Sequence, residues 1–181
     1  MSEHLISLFC PDRPGLISAI SGCLFDLGLN IGDSNFSILG SGAKFTAVCT
    51  LPEKLSAETL QTQLQQLPQL SAAKISITPY TLARPSSSAH ISHQITLQGR
   101  DQPGLVTRLT EVFAEFGANI VHLNTKSFPQ ADMDHYLIRI AAFLPEERAS
   151  ACLATIENTA SSMQMECLCE TEQSATELDP I

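Results

Sequence analysis

Residues 5–9 carry apolar side chains on both faces of an extended chain, as the central strand of a sheet does. The period then changes. Leu16, Ile20, Cys23, Leu24 and Leu27 recur at helical spacing and give one apolar stripe. Pro14 suits the first helical position, and Gly28 suits the residue just past the helix end. Residues 30–39 and 43–51 read as strands joined around the hairpin signal Gly40-Ser41-Gly42. A second helix is predicted over 56–67, with Ser56 as its N-cap, Thr59 where a full capping box has Glu, and Pro68 as its stop. A fourth strand follows over 74–81, with Ile75 and Ile77 on one face. The order β-α-β-β-α-β is the ferredoxin-like split motif of the α+β class, an antiparallel sheet with both helices on one face.

The same order then recurs. Strands are predicted over 93–99, 119–128, 134–143 and 163–169, with helices over 103–116 and 146–161. The first of these helices points Leu105, Leu109, Val112, Phe113 and Phe116 inward. Asp12-Arg13-Pro14-Gly15-Leu16 returns 89 residues later as Asp101-Gln102-Pro103-Gly104-Leu105. Gly28-Leu29-Asn30-Ile31 returns at the same offset as Gly117-Ala118-Asn119-Ile120. Residues 5–39 and 94–128 share 10 identities in 35 ungapped positions, which include every one of these framework residues. A repeat of this kind sets the domain count. Two domains are expected, over 1–82 and 93–169. The Arg-Pro-Ser-Ser-Ser-Ala composition marks 83–92 as a linker. An acidic tail with little to bury is expected to be disordered over 170–181.

Charge narrows the function. The net charge is −9, and residues 86–181 hold thirteen acidic against five basic side chains. Such a chain lacks the basic patch that drives nucleic-acid binding, so no direct nucleic-acid contact is expected. No apolar run approaches the length of a membrane span, and no secretory pattern stands at the start, so no membrane contact and a cytoplasmic location are expected. The six cysteines include no Cys-x-x-Cys pair and are read as reduced thiols. Cys167 and Cys169 would share one strand face, where a plain strand is preferred to a metal site. Asp132, Asp134 and His135 read as a polar hairpin loop rather than ligands, and His90-x-x-His93 does not place both rings on one face. No Ser-His-Asp pattern, phosphate loop or paired carboxylate with a defined role is present, so no cofactor, no metal and no catalysis are expected.

Strand, Asp-x-Pro-Gly, helix, Gly-x-Asn-Ile and strand pair together resemble the ACT domain, a small-molecule-sensing module. The chain is similar to two of them in tandem across residues 4–170. Cys10-Pro11-Asp12-Arg13-Pro14-Gly15-Leu16, Gly28 to Ser34, Leu39-Gly40 and Phe45-Thr46 resemble more narrowly the stand-alone tandem ACT repressors of glycine cleavage. The first ACT domain of formyltetrahydrofolate deformylases is also similar, but this chain is too short for that enzyme's catalytic domain. The resemblance implies an amino acid, glycine, bound between the first turn and the start of the second strand. It implies a LysR-type transcriptional activator as protein partner. Its polar contacts would be Asp12 and Asn30 in one copy, and Asp101 and Asn119 in the other. Some members carry a His where this chain has Cys10 and Gly99.

The chemistry of the turn fits a zwitterion. A helix start offers unpaired N–H groups and partial positive charge to a carboxylate. Asp12 or Asp101 can pair with an ammonium group, and Asn30 or Asn119 can both donate and accept. The expected ligand-binding set is Asp12, Arg13, Pro14, Gly15, Leu16, Asn30 and Ile31, then Asp101, Pro103, Gly104, Leu105, Asn119 and Ile120. A purely structural reading competes with it. Asp before a helix often caps it, Pro-Gly often only shapes a turn, and Asn after Gly tolerates unusual backbone. The second copy has Gln102 in place of Arg13, so the two turns need not be equivalent. A small acylphosphatase-like hydrolase on the same fold is the alternative, although only Arg13 and Arg100 stand near the turns. A pure protein-interaction module without ligand is another. The uncovered sheet faces are expected to pair within the chain, and pairing into a homodimer stays open.

Overall fold

The computed structural model describes residues 2–81, 86–128 and 135–171. The chain divides into two compact units, Met1–Ala83 and Arg84–Ile181. The first contains β1 (Ser2–Pro11), α1 (Leu16–Asp26), β2 (Ile31–Leu39), β3 (Gly42–Leu51), α2 (Ala57–Gln65) and β4 (Lys74–Pro79). The second contains β5 (His93–Arg100), α3 (Leu105–Glu115), β6 (Asn119–Phe128), β7 (His135–Phe143), α4 (Glu146–Ser162) and β8 (Met165–Thr171). Each unit holds one four-stranded sheet, ordered β2-β3-β1-β4 and β6-β7-β5-β8, and every pairing is antiparallel. This is the ferredoxin-like order expected from the sequence.

The core follows from the period-2 pleat. Ile6, Leu8 and Cys10 of β1 and Ala43, Phe45, Ala47 and Cys49 of β3 point to one face. There they join Leu16, Ile20 and Leu24 of α1 and Leu60 and Leu64 of α2 in a single cluster. In the second unit Ile95, Leu97, Ile138 and Ile140 meet Leu105, Leu109, Phe113, Cys152 and Ile156 in the same way. Both helices of each unit therefore cover one face, and the other face of each sheet stays open. Cys10, Cys49 and Cys152 act as small core hydrophobes, with burial raising the pKa of each thiol, that of Cys152 to about 11.

Pro-Gly has a specific conformational job. Leu16 N–H donates to the Arg13 carbonyl at 3.3 Å, and Gly15 sits at φ 78, ψ 4. These are the marks of a type II turn, with Pro14 at its second position and Gly15 at its third. Leu105 N–H, the Gln102 carbonyl and Gly104 at φ 86 repeat it. Pro14 is thus the corner of a turn, not the first helical residue; the helix begins at Leu16 with Gly15 as its N-cap. The far end of each helix is also repeated. Leu29 N–H reaches the Leu24 carbonyl and Gly28 N–H the Phe25 carbonyl, with Gly28 at φ 77. Ala118, Phe113, Gly117 and Ala114 form the same Schellman pair.

Some boundaries differ from those the sequence suggests. A 3-10 turn at Pro68–Leu70 follows α2, which already ends at Gln65. Gln164 at φ 56 delays β8 to Met165, and β8 then runs to Thr171, because Glu170 and Thr171 pair with Gln94 and His93. The first two residues of the expected tail are therefore strand, and the rest lies outside the described residues. Ser88 and Ser92, within the expected linker, hydrogen-bond into the second unit, Ser92 to Ala142 and Leu144. Ser56 caps α2 as expected, its Oγ accepting from Thr59 N–H at 3.2 Å. Ser56→Ala should cost about 1 kcal/mol of stability, read as a shift in urea midpoint at unchanged slope.

Candidate ligand site at the first turn of each unit

β1 delivers Asp12 and Arg13 to the end of the first sheet, where both are exposed. Asp12 N–H donates to the Ser41 carbonyl at 2.9 Å, which ties the turn to the β2–β3 hairpin. The Asp12 carboxylate does not cap α1; that helix start has no side-chain cap. Past Leu16, the amides of Ile17 and Ser18 find no acceptor among the described residues. Two N–H groups and the positive end of an 11-residue helix are thus open beside one carboxylate and one guanidinium. Leu16 is 2% exposed and belongs to the core. Gly15 is placed for its positive φ, with open space where a Cβ would stand.

The register separates the two halves of the expected site. Leu39, Gly42 and Pro11 lie side by side at one end of the first sheet. Ile31, Cys49 and His4 lie side by side near the other. Seven strand residues, about 23 Å, separate His4 from Pro11. Asn30 and Ile31 are therefore at the opposite end of the sheet from Asp12, and no ligand of amino-acid size can touch both within one unit. The second unit has the same geometry, with Phe128, His135 and Arg100 at one end and Ile120, Ala142 and His93 at the other.

The two copies are not equivalent. Asn30 is exposed with no hydrogen-bond partner among the described residues, whereas Asn119 Nδ2 donates to the Ser88 carbonyl at 2.8 Å. Arg13 is free among the described residues, whereas Gln102 Nε2 donates to the Met163 carbonyl at 2.9 Å and pins the second turn to the α4–β8 corner. Asp101, Pro103 and Gly104 are exposed like their counterparts. Leu105 is core, and Ile120 is half-buried against the same core cluster at the other end of the sheet. The residues missing from the sequence-based set are Ile17 and Ser18, whose contribution is backbone and carries no side-chain signature.

The other clusters resolve locally. Cys167 and Cys169 do share a strand face, with sulfurs 3.7 Å apart. Among the described residues no group of three or more His, Cys, Asp or Glu forms a metal cage. His90 Nδ1 donates to the Ser87 carbonyl at 2.7 Å, its ring lies tilted against Phe143, and His93 Nδ1 hydrogen-bonds Ser92 Oγ. His135 is exposed in β7; Asp132 and Asp134 lie outside the described residues. No described helix is long and apolar enough to cross a membrane.

Comparison with known proteins agrees with the repeat. The ACT domain model matches residues 3–78 and again 93–167. The glycine cleavage system transcriptional repressor of Escherichia coli (strain K12) is 30% identical over 162 residues, covering 86% of this chain and 82% of the repressor. A solved structure of an unknown protein from Galdieria sulphuraria superposes with a TM-score of 0.72 at 20% identity, covering 94% of this chain and 98% of that one. A solved candidate glycine cleavage system transcriptional repressor gives a TM-score of 0.64 at 16% identity, over 94% and 96% of the two chains. Two ACT repeats with this framework, and a regulator as relative along most of its length, place the chain in the ACT domain family, among the tandem ACT proteins related to the glycine cleavage system transcriptional repressor.

Proposed function

We propose that the protein is a non-catalytic regulator that senses a small amino acid, glycine, at the β1–α1 turn of its first unit. The observation that carries this reading is the uncapped start of α1. Open Ile17 and Ser18 amides can take a carboxylate, while Asp12, three residues before Gly15, can take the ammonium group. The second turn serves as scaffold, because Gln102 is spent on an internal hydrogen bond that pins it to the α4–β8 corner. The partner is a LysR-type transcriptional activator protein reached through protein contact, in keeping with an acidic chain and with the kinship to a glycine cleavage repressor. Such a protein works in the cytoplasm. The few polar contacts to a tiny ligand imply a Kd between about micromolar and millimolar. A thermal-shift panel of the proteinogenic amino acids tests the reading, since a ligand bound by the native state raises the midpoint. Glycine should raise it and large amino acids should not; a flat panel would favour a protein-interaction module without ligand.

A further inference from the structure

The open face of the first sheet carries a feature the fold does not require. Register places Phe9 of β1 directly between Lys44 of β3 and Lys74 of β4. Two strand spacings put the lysine Cα atoms about 10 Å apart, one on each side of the phenyl ring. Phe9 is 44% exposed, and neither lysine side chain has an ion pair or hydrogen bond among the described residues. The ring leans over Gly42, so closely that a Cβ there would run into its tip. Gly42 thus acts as a bare seat that holds the ring to one side.

Two clefts flank this ring. One of about 260 Å³ has apolar walls from Phe9, Pro11, Leu39 and Ala72, a floor at Gly42 and Lys74 at its rim. The other, about 230 Å³, runs past Ser7 and Ser76 between the two lysines. No acidic side chain lines either cleft, so an ammonium group finds no partner there. An apolar slot with ammonium groups and no carboxylate suits an anion with an apolar body, not a zwitterion such as glycine.

The second unit supplies the internal control. The positions of Lys44, Phe9 and Lys74 are taken there by Leu137, Gln98 and Glu166. Gln98 Nε2 donates to Glu166 Oε2 at 2.7 Å, so that row satisfies itself and carries one negative charge. The same fold without the two cations has no such slot chemistry.

We infer that the Phe9–Lys74 cleft of the first unit binds a small aromatic carboxylate, with the ring body on Phe9 over Gly42 and the carboxylate on Lys74, supported by Lys44. This site lies on the open sheet face and adjoins the α1 turn through Pro11 and Ser41, but it does not depend on the amino-acid reading above. The test is an NMR titration of the full chain with benzoate, against benzamide as the uncharged counterpart. Benzoate should give saturating shifts at Phe9, Gly42, Ala72 and Lys74, with a Kd of order millimolar for so few atoms. Benzamide should bind about fivefold more weakly, and Lys74→Met should weaken benzoate by about the same factor, as loss of one charge-assisted contact does. Lys44→Met should weaken it less. Phe9→Leu, which keeps an apolar side chain on the exposed position, should also reduce affinity. The inference fails if benzoate shifts none of these residues. It fails equally if benzoate and benzamide bind alike, or if correctly folded Lys74→Met binds benzoate as the parent does.

Discussion

Phe113→Ala should destabilise the second unit by about 3–5 kcal/mol, the range for truncating a fully buried phenyl ring. Phe113 is 1% exposed and sits in the cluster of Ile95, Leu97, Leu109, Ile138 and Ile156. It is on the stripe of α3 that also carries Leu105, Leu109 and Val112, so its loss leaves a cavity between helix and sheet. Its carbonyl also accepts from Ala118 N–H in the helix-ending motif, which ties the stripe to the start of β6. A domain of this size has roughly 5–10 kcal/mol in total, so the variant would retain only a minor share. Hydrogen exchange of the β5 and β7 amides reads the effect directly. A loss of under about 1 kcal/mol would mean that the ring is not in the core described.

Gly99→Ala should cost about 1–3 kcal/mol, despite adding a single methyl group. A Cβ at Gly99 would lie 2.9 Å from the Gln164 carbonyl oxygen and 3.1 Å from Met165 Cα. Both are backbone atoms, held by the left-handed Gln164 and by the pairing of Gly99 with Met165. The methyl can be accommodated only by moving the start of β8. The equivalent position in the first unit is Cys10, which is 1% exposed and fits its core. The difference between Cys10 and Gly99 therefore has a packing cause, the close approach of the last strand to Gly99. Urea unfolding followed at Tyr136 would report the loss; a variant as stable as the parent would show that β8 yields freely.

Much of this architecture is legible in the chain because it is local. The period change at Leu16, the Ser56 cap and the Asp-x-Pro-Gly repeat each depend on neighbours within one turn. The same locality misleads at the site. Asp12 and Asn30 are close in the motif, yet α1 carries the chain back along the sheet and places them about 23 Å apart. Sequence spacing across a returning helix measures chain length, not proximity. Asn119 shows a second gap, since its partner, the Ser88 carbonyl, is a backbone atom with no residue signature. The Lys44–Phe9–Lys74 row is a third. Its members come from three strands, and only the register aligns them. The Gln102–Met163 bond is of the same long-range kind, and it ties the second turn to the α4–β8 corner.

The central claim is that the first turn holds a small amino acid through the α1 start and Asp12. Calorimetric titration of glycine into the protein and into its Asp12→Ala variant tests it most directly. The account predicts a saturable isotherm for the parent and a Kd raised about fivefold in the variant, as loss of one exposed charge-assisted contact does. Equal affinity in the two proteins, or no binding by the parent at millimolar glycine, would contradict it.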